Sequence, residues 1–110
     1  MEKTVTINIK PEDSKAIFDC KSEQWFGVLD YNRMFLKAQE IYFNAALKTR
    51  GHVFLNEVLD ALGLKRTRNG AILGWVNKSG CEFISFDAKE IKQDCFELSF
   101  NVDGVILDLI

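Results

Sequence analysis

One proline, one histidine and three cysteines in 110 residues exclude several kinds of protein at once. A single proline rules out long Pro-rich linkers, which points to one domain. Cys20, Cys81 and Cys95 are odd in number, widely spaced, and contain no Cys-x-x-Cys pair. Together with His52 they make just enough ligands for a closed structural zinc site, but without the local pairing such sites use. Packed, reduced thiols in a cytosolic protein are the simpler expectation, and no metal or cofactor is expected. No apolar run approaches the roughly 18 residues needed to span a bilayer. The opening Met1-Glu2-Lys3-Thr4-Val5 lacks an apolar signal segment, so the expected location is the cytoplasm. Repeats and low-complexity stretches are missing too. Charge of one sign is also missing: 14 basic and 16 acidic residues give −2, so global attraction to nucleic acid or anionic membrane is not favoured, and only a local patch remains as a means.

What the chain does have is apolar mass. Hydrophobic residues are 47% and charged residues 27%, with nine phenylalanines and two tryptophans, which is the composition of a globular domain with a real core. Thr4-Val5-Thr6-Ile7-Asn8-Ile9 alternates and is rich in β-branched residues, predicting a strand that Pro11-Glu12-Asp13-Ser14 ends. Between Ser14 and Leu29 the pattern fits a short strand or a helical turn equally. Asp30 is a plausible N-cap. From there Tyr31, Met34, Phe35, Ala38, Ile41, Tyr42 and Ala45 recur at spacings of three and four, predicting a helix to about Arg50 with those residues inward. Arg33, Lys37, Glu40, Asn44 and Lys48 fall on the expected wet face, and Gly51 supplies the stop.

A second helix is predicted from about Phe54 to Leu62, with Leu55, Val58, Leu59 and Leu62 as its stripe and Gly63 past its end. Residues 71–76 and 81–86 read as strands around an Asn77-Lys78-Ser79-Gly80 turn. Residues 87–94 read as a charged connection. Phe96-Glu97-Leu98-Ser99-Phe100 alternates strictly, and Val102-Asp103-Gly104 turns into a last short element. The expected fold is α+β and two-layered, a helix pair packed on a mainly antiparallel sheet in one domain covering residues 1–110.

Candidate chemistry is sparse. Lys65, Arg66 and Arg68 form the one dense basic cluster, in a loop able to hold a phosphate through charge-assisted bonds, with Trp75 near enough in sequence to stack on a base. The competing reading is a solvated loop. His52 titrates near neutrality and has Glu57 one helical turn on, yet no nucleophile at a motif spacing; a corner-packing role competes with acid–base work. Asn101-Val102-Asp103-Gly104 has the alternating oxygens of a calcium loop but no later bidentate carboxylate, and a tight turn explains the same residues with less. Asp87, Glu90, Asp94, Glu97, Asp103 and Asp108 make the C-terminal half acidic, as a surface for a basic partner or simply as a solvated face. Phe18, Trp25 and Phe26 suit either a partner-binding patch or the core. The alternating 96–100 segment, if an exposed edge, offers pairing with a second copy.

The segments Arg50-Gly51-His52-Val53-Phe54-Leu55-Asn56-Glu57-Val58-Leu59-Asp60-Ala61-Leu62-Gly63-Leu64, Gly70-Ala71-Ile72-Leu73-Gly74-Trp75-Val76 and Phe100-Asn101-Val102-Asp103-Gly104-Val105-Ile106 together carry a resemblance. They are similar to a family of small uncharacterised proteins of phages and mobile elements in Gram-positive bacteria. The resemblance covers roughly Asn32 to Ile110, leaving the N-terminal strand as a feature of this member. It implies a fold unit and a genetic setting, with no catalytic residues to carry over. The resembling proteins often have a longer loop between Val76 and Phe83. The resulting expectation is a non-enzymatic accessory protein that contacts a protein partner, as an assembly component or modulator of a host factor. It would act in the bacterial cytoplasm or on the virion, without a membrane. The alternative is a nucleic-acid-binding accessory using Lys65, Arg66, Arg68 and Trp75.

Overall fold

The computed structural model of the chain describes residues 11–77, 83–92 and 95–107. The expected strand at Thr4–Ile9, the Lys78-Ser79-Gly80 turn residues, Cys81, Asp94 and Asp108 lie outside these. A 3-10 turn at Pro11–Ser14 leads into strand β1 (Lys15–Asp19), which settles the ambiguous stretch before the long helix. Helix α1 spans Leu29–Arg50 and is closed by Gly51, whose φ of 88° lets its N–H reach the Leu47 carbonyl at 2.9 Å. Val28, not Asp30, sits at its N-cap position. Asp30 instead lies in the first turn, where its charge complements the helix dipole and pairs with Arg33.

The two helices do not meet in a simple corner. His52–Phe54 form a short strand, β2, before helix α2 (Leu55–Ala61). Three residues are too few to show a period in sequence, and their strand character comes from pairing with β3 (Leu73–Val76), with Val53 opposite Trp75. The remaining strands are β4 (Lys89–Lys92), β5 (Cys95–Ser99) and β6 (Gly104–Val105). The class is α+β, with the strands divided between two three-stranded antiparallel sheets, β1-β5-β4 and β2-β3-β6. β4 occupies the expected charged connection. β5 alternates as predicted, burying Phe96 and Leu98. It is hydrogen-bonded on both sides, however, so it offers no edge to a second copy.

Residues 83–88 are not a strand: backbone bonds reach only the Ser85 and Phe86 carbonyls, from the Asn101 and Ser99 N–H groups, and side chains hold most of the rest. Asn44 of α1 accepts from the Ile84 N–H at 2.7 Å and donates to the Ile84 carbonyl at 3.0 Å. Glu40 accepts from the Phe86 N–H at 2.7 Å. On the other flank, Asn101 accepts from the Ser85 N–H at 2.8 Å and donates to the Phe83 carbonyl at 3.0 Å. Thus Glu40 and Asn44, expected to face water, lock a segment across the domain and seat Ile84 and Phe86 in the core.

One apolar cluster joins both sheets and both helices, with Phe18, Leu47, Val53, Val58, Trp75, Phe86 and Leu98 within it. Trp25 packs edge-on to Phe18 at 5.4 Å and near Phe96 at 6.2 Å, so two of the three N-terminal aromatics belong to the interior. The inward face of α1 differs from the one its spacing predicted. Asn32, Leu36, Phe43 and Leu47 are buried, whereas Tyr31, Met34, Ile41 and Tyr42 are more than half exposed. The helix carries two apolar stripes, and periodicity alone does not tell which one the rest of the chain covers. Asn32 marks the chosen side: it accepts from the Phe26 N–H at 2.8 Å and donates to the Phe26 carbonyl at 2.7 Å, folding residues 20–28 back over the helix start.

Candidate functional site

The loop between α2 and β3 begins at the end of a helix whose Asp60 faces outward. Arg66 Nε donates to both Asp60 oxygens, at 2.8 and 2.9 Å, and its Nη2 completes a forked ion pair. That pairing holds the Asp60 carboxyl below, and the Arg66 guanidinium above, their ordinary ranges. Asn56 clamps Thr67 through both backbone groups, at 2.9 and 3.0 Å, and Thr67 Oγ1 accepts from the Gly70 N–H at 2.9 Å. A Cβ at Gly70 would lie 2.3 Å from Asn56 Oδ1, so close approach explains this glycine without any phosphate. The Lys65 and Arg68 side chains are exposed.

Trp75 corrects the sequence reading. It is 0% exposed, inside β3, with its Nε1 donating to Asn101 at 2.9 Å. Neither ring face is open to a base, and the four nominated residues do not form one surface. All four residues of β3 are buried, as in a strand covered on both faces, and the unbroken apolar run Leu73-Gly74-Trp75-Val76 is the sequence signal consistent with that.

His52 and Glu57 are likewise turned to structural ends. Glu57 meets Arg50 in a fork of 2.8 and 2.7 Å, and its Oε2 accepts from the Phe54 N–H at 2.8 Å, capping α2. The Arg50 fork, helped by the Phe54 N–H and opposed by partial burial, holds the Glu57 carboxyl below its usual range. His52 packs edge-on to Phe54 at 5.5 Å. In the turn at 101–104 the side-chain oxygens of Asn101 and Asp103 are also committed. Asn101 serves Trp75 and Ser85, while Asp103 Oδ2 accepts from the Val76 N–H at 2.9 Å. Among the described residues no cluster of three or more metal-ligating side chains occurs. A groove of about 530 Å³ runs between α1 and the 85–90 segment. Its cations face carboxylates within it: Arg33 pairs with Glu90, raising the Arg33 pKa, and Lys37 lies 3.6 Å from Glu40.

Among the described residues, most of the exposed large apolar side chains gather on the outer face of α1 and the segment leading into it. Met34 is 70%, Ile41 62% and Tyr42 62% exposed, and Ala38 and Ala45 lie open between them. Tyr31 extends the stripe toward the helix start, where Phe26 rests on it with ring centroids 4.5 Å apart and Val28 is also exposed. At roughly 100° per residue these positions lie nearly opposite Leu36 and Phe43. Spread along one helix, they make a continuous apolar surface rather than scattered single residues, the pattern that marks contact sites. Of the sequence-nominated aromatics, Phe26 alone belongs to it. The same 3–4 spacing that suggested a core stripe therefore found the surface, but assigned it to the wrong side.

No described helix is long and apolar enough to cross a membrane. No curated protein and no solved structure matches the chain. A family model does match, described as a family of unknown function (DUF6353), over residues 1–110. The chain belongs to that family, and the match includes the N-terminal residues that the narrower resemblance left aside.

Proposed function

We propose that this DUF6353 member is a non-catalytic accessory protein that acts by protein–protein contact, with the outer face of α1 as its contact surface. The observation that carries the reading is that face: large apolar side chains, half or more exposed, aligned along one helix. Exposed apolar area of this extent is costly in water and is retained where a partner covers it. Tyr and Met are also residue types enriched in the centres of interfaces. The charged groups nearest the sequence-nominated sites are drawn into ion pairs and caps of the fold, which supports placing function elsewhere. The phage or mobile-element setting, and a role as an assembly component or modulator of a host factor in the bacterial cytoplasm, rest on the three segments of resemblance.

The alternative, nucleic-acid binding through the loop at 65–68, retains Lys65 and Arg68 but loses Trp75 to the core and Arg66 to Asp60. Affinity capture from the native host's lysate, with and without nuclease, separates the two. Three forms are compared: wild type, Met34→Glu/Ile41→Glu and Lys65→Glu/Arg68→Glu. The proposal expects nuclease-resistant capture lost only in the α1 variant. Capture lost with nuclease and with the loop variant would overturn it.

A further inference from the structure

We propose that the occupant of the outer α1 face is a second copy of this chain, packed antiparallel about a two-fold axis. This rests on the reading of that face as a protein-contact surface and names its partner. Tyr31, Ala38 and Ala45 are spaced by seven, as are Met34, Ile41 and Lys48, three residues further on. That is the a/d repeat of a coiled-coil seam, on a side of the helix that the domain's own core does not use.

The sequence of the seam selects the orientation. In an antiparallel pair centred between Gln39 and Glu40, Met34 faces Ala45, Ala38 faces Ile41 and Tyr31 faces Lys48 of the other copy. Every alanine then meets a large side chain, as close packing requires. The Lys48 ammonium meets an aromatic ring and comes near Asp30, and each helix N-terminus lies beside the opposite C-terminus. A parallel pair would instead set alanine against alanine, leaving voids, and Lys48 against Lys48. Such an antiparallel contact is isologous, so it closes at two copies.

The size is also suitable. Helix α1 is about 33 Å long at 1.5 Å per residue. The six large apolar side chains from Phe26 to Tyr42 that are exposed along it offer on the order of 100 Å² each. With the open alanines and the lysine stem, that approaches the roughly 800 Å² per partner of a standard interface. A formal charge of −2 puts little repulsion between copies.

Sedimentation equilibrium of the full chain tests this, with far-UV circular dichroism to verify folding. All the altered positions are exposed, so the monomer fold should tolerate the changes. The wild type should dimerise in the micromolar range, and Met34→Glu/Ile41→Glu should be monomeric. Met34→Ala sets alanine against alanine and Ala45→Met sets methionine against methionine; each should weaken the dimer about tenfold, a change of about 1.4 kcal/mol. The double swap Met34→Ala/Ala45→Met restores one large and one small residue to each layer and should recover the wild-type constant to within about threefold. A monomer at about 100 µM overturns the second-copy proposal but leaves the contact surface itself to the lysate capture above. A dimer indifferent to Met34→Glu/Ile41→Glu overturns this surface as its interface. Failure of the double swap to rescue overturns the antiparallel register.

Discussion

Replacing Asn101 with alanine should be the most informative single change to the fold. This one side chain accepts from the Trp75 indole at 2.9 Å and the Ser85 N–H at 2.8 Å, and donates to the Phe83 carbonyl at 3.0 Å. Ser85 and Phe83 lie near the surface, where water can replace part of what is lost, so those two bonds are worth about 0.5–1 kcal/mol each. The Trp75 indole is different, because its residue is fully buried and its N–H would be left without a partner, a penalty of about 1–3 kcal/mol. The total is about 2–5 kcal/mol, or a fall in Tm on the order of 10–20 °C for a domain of this size. Urea unfolding followed by far-UV circular dichroism measures it. The cycle with Trp75→Phe isolates the indole bond, and the two changes together should cost about 1 kcal/mol less than their sum. If Asn101→Ala falls within about 0.5 kcal/mol of wild type, the side chain is not the clamp described.

Three further outcomes follow from the same structure. Leu36→Ala should cost about 2–5 kcal/mol, whereas Ile41→Ser, on the opposite face of α1, should change the monomer's stability by less than about 0.5 kcal/mol in urea titrations below the dimer's dissociation constant. Gly63→Ala should destabilise by more than Gly51→Ala: both have positive φ, at 69° and 88°, but only at Gly63 would the new Cβ meet Ser22 Oγ at 2.6 Å. Thermal melts of the two variants give the order, which is expected to be about 2 kcal/mol or more against about 1 kcal/mol. Glu57 should contribute to the acid limb: its folded pKa lies below the ordinary 4.5, so its stabilisation is present above that value and is lost as pH falls through the lowered folded value. Urea midpoints between pH 6 and pH 2 should therefore fall less steeply for Glu57→Gln than for wild type.

How much of this was legible before the structure depends on where each element's partners lie in the chain. Helix α1 was placed to within two residues at its start, and at Arg50 itself at its end, because its signals are local: 3–4 spacing, basic end and Gly51. Which stripe faces inward was not local. Leu36, Phe43 and Leu47 are as periodic as Met34, Ala38 and Ile41, and the choice is made by segments that dock from far away, through Asn32, Glu40 and Asn44. Residues 81–86 were read as a strand because the alternation is genuine, with Ile84 and Phe86 inward and Phe83 out. Most hydrogen-bond partners of residues 83–88 are side chains, at Glu40 and Asn44 on α1 and at Asn101, with the Ser99 and Asn101 N–H groups meeting the Phe86 and Ser85 carbonyls, and no strand pattern encodes that mixture. β4 was read as a connection because Lys89-Glu90-Ile91-Lys92 is nearly all charged, as suits the edge of a sheet.

The candidate site followed the same logic. Lys65, Arg66 and Arg68 stood out as charge, but charge in sequence does not show that Asp60 waits six residues before Arg66. Trp75 stood out as an aromatic near that cluster, while its burial is decided by β2 and β6 on either side of it. The outer face of α1 was visible all along as a stripe, and what sequence lacked was the knowledge that the domain has another stripe for its core.

Site-specific photo-crosslinking from position 41, with a benzoylphenylalanine in place of Ile41 and expression in the native host, tests the central claim most directly. The account predicts a protein adduct of twice the chain mass, whose linked peptide maps to residues 34–45 of another copy. A probe that reacts with no protein at position 41, while the same probe in place of Lys65 captures nucleic acid or another partner, would contradict it.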